Sequence, residues 1–88
     1  MLLTIMTVLL QVTEGAASFS ELGAAFAASF TAIGAAYGIS RIGASAMEAI
    51  ARQPEASGDI RSNMIVSAAL IEGVSFFAVI VCALVLFV

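Results

Sequence analysis

Hydrophobic and polar positions alternate along this chain by whole segments rather than by single residues. Met64 to Val88 is a run of 25 residues that are apolar or small except for one carboxylate, Glu72. Leu22 to Ser40 is a second run, 19 residues long and without a charge. About 20 apolar residues in a helix cross the hydrocarbon core of a bilayer, and the longer run reaches about 37 Å at ~1.5 Å per residue. Between the runs, Arg52-Gln53-Pro54-Glu55-Ala56-Ser57-Gly58-Asp59 is the one turn-like segment. Pro54 disfavours helix at Gln53 and cannot continue one. The pattern predicts an all-α membrane protein, a hairpin of two transmembrane helices. Helix 1 is expected over 18–51, the loop over 52–58 and helix 2 over 59–88. Ser18-Phe19-Ser20-Glu21 fits a capping box that would start helix 1. Met1–Val12 is apolar but too short to span, and no Lys or Arg precedes it, which makes it a poor secretory signal. Residues 1–17 are expected to form an apolar segment and linker, either trimmed near Gly15-Ala16-Ala17 or lying along the membrane surface.

Composition sharpens this picture. Of the 88 residues, 62% are hydrophobic and 10% charged, against roughly a quarter charged in a soluble domain. The net charge of −3 argues against nucleic acid, which needs a basic patch. There is no His, and the single Cys82 offers neither a disulfide framework nor a metal cluster. All three basic residues, Arg41, Arg52 and Arg61, gather around the turn. Basic residues favour the cytoplasmic side, so the loop is expected in the cytoplasm and both termini outside.

Helix 1 sorts its residues by size. Leu22, Phe26, Phe30, Ile33, Tyr37 and Arg41 fall on one stripe of about 100°. Most of the remainder is Gly, Ala, Ser or Thr. Gly34 and Gly38 form a GxxxG match, and Ala32, Ala36 and Ser40 make a second small row about 180° away. Membrane helices gain by close backbone approach, because lipid is as apolar as Leu. A helix that is small on two opposite sides can touch a like neighbour on each, which is the contact pattern of a closed ring. A generic Ala-rich membrane helix would look similar.

Glu72 is the chemistry-bearing residue. It lies eight residues past Met64, about 12 Å of helix from the loop-side edge of its run. Burial in hydrocarbon disfavours a charged carboxylate, so the group is neutral against lipid and ionises only beside water or a cation. No basic residue of this chain lies at that depth, so the cation must come from another protein. A carboxyl that alternates in this way can carry a proton. Ser75 is the one hydroxyl expected on its side of helix 2, and the carbonyl of Leu70 is a second possible acceptor. A protonated glutamate bonded between helices as packing glue is the bland alternative.

The stretch Met47-Glu48-Ala49-Ile50-Ala51-Arg52-Gln53-Pro54-Glu55-Ala56, followed by an acidic residue mid-span, resembles the c subunit family of F-type ATP synthases, the rotor-ring proteolipids. The resemblance runs from about Ile33 to Val88. It implies a non-catalytic member of a ring of identical copies, with helix 1 inside and helix 2 outside. The position of Glu72 would bind the transported ion and meet an arginine of the stator's a subunit. Half-channels there would load and unload it, turning the ring in the inner membrane. Arg52, Gln53 and Pro54 would dock the central stalk.

Departures from the family pattern bear on the ion. Glycine positions of helix 1 read Gly34, Ala36, Gly38 and Ser40, a softened version of a four-glycine run. Ile39 stands where many members have Gln. Gly73 and Val74 replace the hydroxyl pair of sodium-binding members, and Phe77 replaces their Tyr. Sodium needs several oxygen ligands, whereas a proton needs one carboxyl and one acceptor. The expected ion is therefore H⁺, with no cofactor or metal. Tyr37, Ser40 or a backbone carbonyl could take the place of the missing Gln. The competing functions are a pore-forming hairpin of the holin or small-channel type, with Glu72 lining a wet lumen, and a plain membrane anchor.

Overall fold

The computed structural model is a long helical hairpin. It describes the backbone of all 88 residues and the side chains of all but Glu14, Ala16, Ala17 and Ser18. Helix α1 covers Leu2–Arg52, a 3₁₀ turn η1 covers Pro54–Ala56, and helix α2 covers Ser57–Phe87. Gln53 breaks the first helix with φ −134° and ψ 75°, its N–H still donating to the carbonyl of Ala49. This is the extended conformation that a following proline imposes. Helix 2 starts at Ser57, two residues before the expected Asp59.

The start of helix 1 differs from expectation. Where a separate apolar segment and linker over 1–17 are expected, the helix runs through from Leu2 without a break. Nothing in that stretch forbids helix: it holds no Pro and one Gly. The Thr13 hydroxyl donates to the carbonyl of Leu9 at 2.9 Å, so a residue read as loop-forming satisfies itself on the helix. The expected capping box involves Ser18, which lies outside the described side chains. At ~1.5 Å per residue the 51 residues of α1 span about 76 Å, and the long dimension of the molecule is 80 Å.

The two helices meet along a seam of small residues. Ala24 and Ala46 are the only buried hydrophobic residues among those described. Of the seven glycines only Gly38 has a neighbour across the seam, since a Cβ built there would lie 3.0 Å from Cδ1 of Ile71. Along α2 the less exposed residues are Ser57, Ile60, Met64, Ser67, Ala68, Ile71, Ser75, Ala78 and Cys82, at helical spacing. The bulky stripe of α1 turns the other way: Phe26, Phe30, Ile33 and Tyr37 are each more than half exposed. Phe26 and Phe30 stack with ring centroids 6.5 Å apart.

A hairpin with two buried alanines has no core that would hold it together in water. Two stretches, Phe19–Arg52 and Pro54–Phe87, are long and apolar enough to cross a membrane, and none of the most apolar window of the second is buried. The hydroxyls of Ser29 and Thr31 donate to carbonyls four residues back, and that of Ser40 to the carbonyl three back. These three hydroxyls therefore satisfy themselves on their own helix, as suits a hydrocarbon setting.

Candidate functional site

Gly38 against Ile71 puts Glu72 at the height of Tyr37 and Gly38, inside both spans. Glu72 follows the seam residue Ile71 by one position, about 100° around α2. It therefore sits on a flank of the hairpin rather than in the seam, and its side chain is exposed. The cleft on this flank is apolar apart from the carboxyl. Ile39, Ile42 and Gly43 of α1 line it with Met64, Ile65, Ala68, Ala69 and Glu72 of α2, around about 310 Å³. Ile39 thus stands beside the carboxyl and offers it no polar atom.

The opposite flank carries the polar groups. Leu70 is two residues from Glu72, about 200° around the helix. It lines a second cleft of about 520 Å³ with Thr31, Gly34, Ala35, Val74 and Ser75. Ser75, expected on the side of Glu72, lies in this second cleft. Ser75 is itself one of the half-buried residues of the seam, about 60° around α2 from Glu72, and it lines the second cleft rather than the first. Ser75 is half-buried, and its hydroxyl makes no hydrogen bond to another described residue. Ser40 is committed to the carbonyl of Tyr37 at 2.8 Å. Tyr37 is 66% exposed on the outward stripe of α1, away from α2.

The GxxxG pair divides between two tasks. Gly38 packs within the hairpin, whereas a Cβ at Gly34 would meet nothing within 4 Å. Gly34 and the row of Ala32, Ala36 and Ser40 lie exposed on opposite flanks, each about 90° from the face that α1 turns to α2. Both flanks of the hairpin are thus small on α1. Arg52, Gln53 and Pro54 form the exposed tip at the far end. Thr31, on the Ser75 flank, was not singled out in the sequence. Its place seven residues before the seam glycine Gly38 is the signal that would have found it. Among the described residues, no group of three or more His, Cys, Asp or Glu could hold a metal ion.

A single acid lines one cleft, hydroxyl-bearing residues line the other, and small residues of α1 lie exposed on both flanks. Comparison with known proteins identifies the family. Residues 22–85 match the family model of the ATP synthase C subunit. The ATP synthase c subunit of Bacteroides thetaiotaomicron is 63% identical over 83 residues, covering 94% of this chain and 98% of that protein. Its counterpart in Bacteroides fragilis is 66% identical over the same extent. A more distant one, from Protochlamydia amoebophila, is 52% identical over 65 residues, which is 74% of this chain and 66% of that protein.

Proposed function

The chain belongs to the ATP synthase C subunit family, and from that premise we propose that it is the proton-carrying rotor component of the membrane sector, with Glu72 as the carrier. Family membership supersedes the pore-forming and anchoring alternatives. Copies assemble side by side into a ring, α1 inside and α2 outside, with the small flanks of α1 in contact. The protein has no catalytic site of its own; it couples proton flow to rotation.

The observation that carries the mechanism is the split of the site between two flanks. In a repeated side-by-side contact, the Glu72 flank of one copy meets the Leu70–Ser75 flank of the next. The protonated carboxyl then donates to an oxygen of its neighbour, either the uncommitted hydroxyl of Ser75 or a backbone carbonyl near Leu70, which retains a lone pair. While that bond is made and lipid covers the cleft, Glu72 stays neutral. At the stator, an arginine of the a subunit and water favour the ionised form, and the proton leaves. Reprotonation from the opposite half-channel lets the carboxyl re-enter lipid. Each cycle advances the ring by one copy.

The cleft around Glu72 supplies one carboxylate and apolar neighbours. That set suits H⁺ and is too poor in oxygen for Na⁺. The loop of Arg52, Gln53 and Pro54 docks the central stalk from the cytoplasm, with both termini on the other side of the inner membrane. The arginines around the loop support this orientation.

The decisive experiment is modification by a hydrophobic carbodiimide, which reacts with protonated carboxyls in lipid. Labelling of Glu72 in the assembled complex should decline as pH rises and be indifferent to Na⁺. Protection by millimolar Na⁺ at neutral pH would overturn the proton assignment.

A further inference from the structure

Arg41 plays no part in proton carriage as described. It lies three residues past Gly38, so its Cα is about 6 Å nearer the loop than Glu72. A guanidinium is charged at any accessible pH, and Arg41 makes no ion pair among the described residues. It lines the loop-end cleft of the Leu70–Ser75 flank, about 550 Å³, together with Ser45 of α1 and Asn63 and Ser67 of α2. The matching cleft on the other flank is apolar at the same height, lined by Ile42, Gly43, Met64 and Ile65. Asn63 is the last polar residue before the apolar run from Met64, so this cleft opens at the edge of the hydrocarbon layer, where lipid phosphates begin.

The groups in the cleft are a fixed cation, an amide and two hydroxyls, and no carboxylate lines it. The nearest acids on this side, Asp59 one turn nearer the loop on α2 and Glu48 two turns along α1, are not among its lining residues. A neighbouring copy supplies a second cation rather than an acid. Arg61, Ile65, Ala68 and Glu72 are spaced four, three and four, which puts Arg61 on the Glu72 flank. In the ring proposed for this family, that flank of one copy faces the Arg41 cleft of the next.

From this juxtaposition we infer that the Arg41 cleft, closed by Arg61 of the adjacent copy, binds a phosphate oxyanion, supplied by the headgroup of an anionic phospholipid. This inference rests on the side-by-side arrangement of copies. Arg41 would bind phosphate oxygens through its fork of donors, with Asn63, Ser45 and Ser67 completing the shell. The bound anion offsets the charge of an arginine that would otherwise stand in hydrocarbon, and it ties each contact between copies to one leaflet.

The test uses assembled rings exchanged into nanodiscs of phosphatidylcholine doped with phosphatidylglycerol, with retained lipid read by native mass spectrometry. Wild-type rings should retain phosphatidylglycerol above its bulk proportion. R41L should lower that retention by roughly tenfold, as loss of a charge-assisted contact predicts. R41K should keep part of it. N63A should lower it several-fold, and this variant carries the test if R41L fails to assemble. Inorganic phosphate is added in a separate arm: displacement of the lipid supports the oxyanion site with a free anion as occupant, and persistence supports the headgroup. Equal retention of the two lipids by wild type, or unchanged retention in both R41L and N63A, overturns the site. Carbodiimide labelling of Glu72 in the same rings separates the two failures. A labelled ring without lipid preference sinks only the anion site, whereas an unlabelled wild-type ring counts against proton carriage.

Discussion

Glu72 and Gly38 are the two residues on which the most depends, for opposite reasons. Glu72 matters because it is polar in an apolar cleft, and the role proposed for it is to exchange a proton rather than to pack. Glu72→Gln keeps the shape and removes the exchange, so passive proton flow through the reconstituted membrane sector should be abolished while rings still form. Retained flow would end the carrier assignment. Gly38 matters because there is no space beside it. Gly38→Ala needs Cδ1 of Ile71 to move by a few tenths of an ångström, which a flexible side-chain end can do. Gly38→Leu should overpack the seam and cost about 1–3 kcal/mol, read as a lower melting temperature of the ring. Combining it with Ile71→Ala should recover much of that loss. Unchanged melting of Gly38→Leu would mean that the helices do not approach closely there.

The elements divide these tasks by face. One face of α1 packs on α2, two flanks are small, and the remaining stripe is bulky and exposed. The contrast between the two glycines tests this division. A Cβ at Gly34 meets no atom of its own chain, so with Gly34→Leu the hairpin should persist while the fraction of chain migrating as ring on a mild gel falls. A normal ring yield would show that this flank contacts no neighbour. The turn makes a separate prediction. Arg52→Ala or Gln53→Ala alters only the exposed tip, so passive proton flow should survive while ATP-driven proton pumping drops. Loss of both together would mean that the tip serves assembly rather than stalk docking. The pattern revealed the two spans and the break at Gln53 and Pro54, because a long apolar run and a proline are local facts. It placed a separate segment and linker over 1–17 where the helix continues. Hydroxyl and glycine residues weaken a helix without forbidding it, and composition could not decide between the two.

As a whole, the molecule is a surface without an interior. Two buried alanines and a seam along one glycine leave its carboxyl, its hydroxyl cleft and its loop-end arginine all open to the outside. Such a chain reaches its working state only in lipid and among copies of itself. The described residues from Met1 to Thr13 are all exposed, and at the register of Gly38 with Ile71 they extend beyond the end of α2. Removing them should therefore leave carbodiimide labelling of Glu72 unchanged; a loss of labelling would tie that segment to ring assembly. The sequence by itself determined the membrane hairpin and the family and singled out Glu72 as the candidate, because run length, a short specific motif and one charge in an apolar run are properties of order along the chain. Only the tertiary structure decided which way each side chain faces. It set Leu70 and Ser75 along a cleft separate from that of Glu72, assigned Gly38 to the seam and Gly34 to the outside, and gathered Arg41 with Asn63 and Ser67. The physical reason is that helical spacing fixes angles within one helix, whereas the direction of its partner is set by where two backbones can approach most closely.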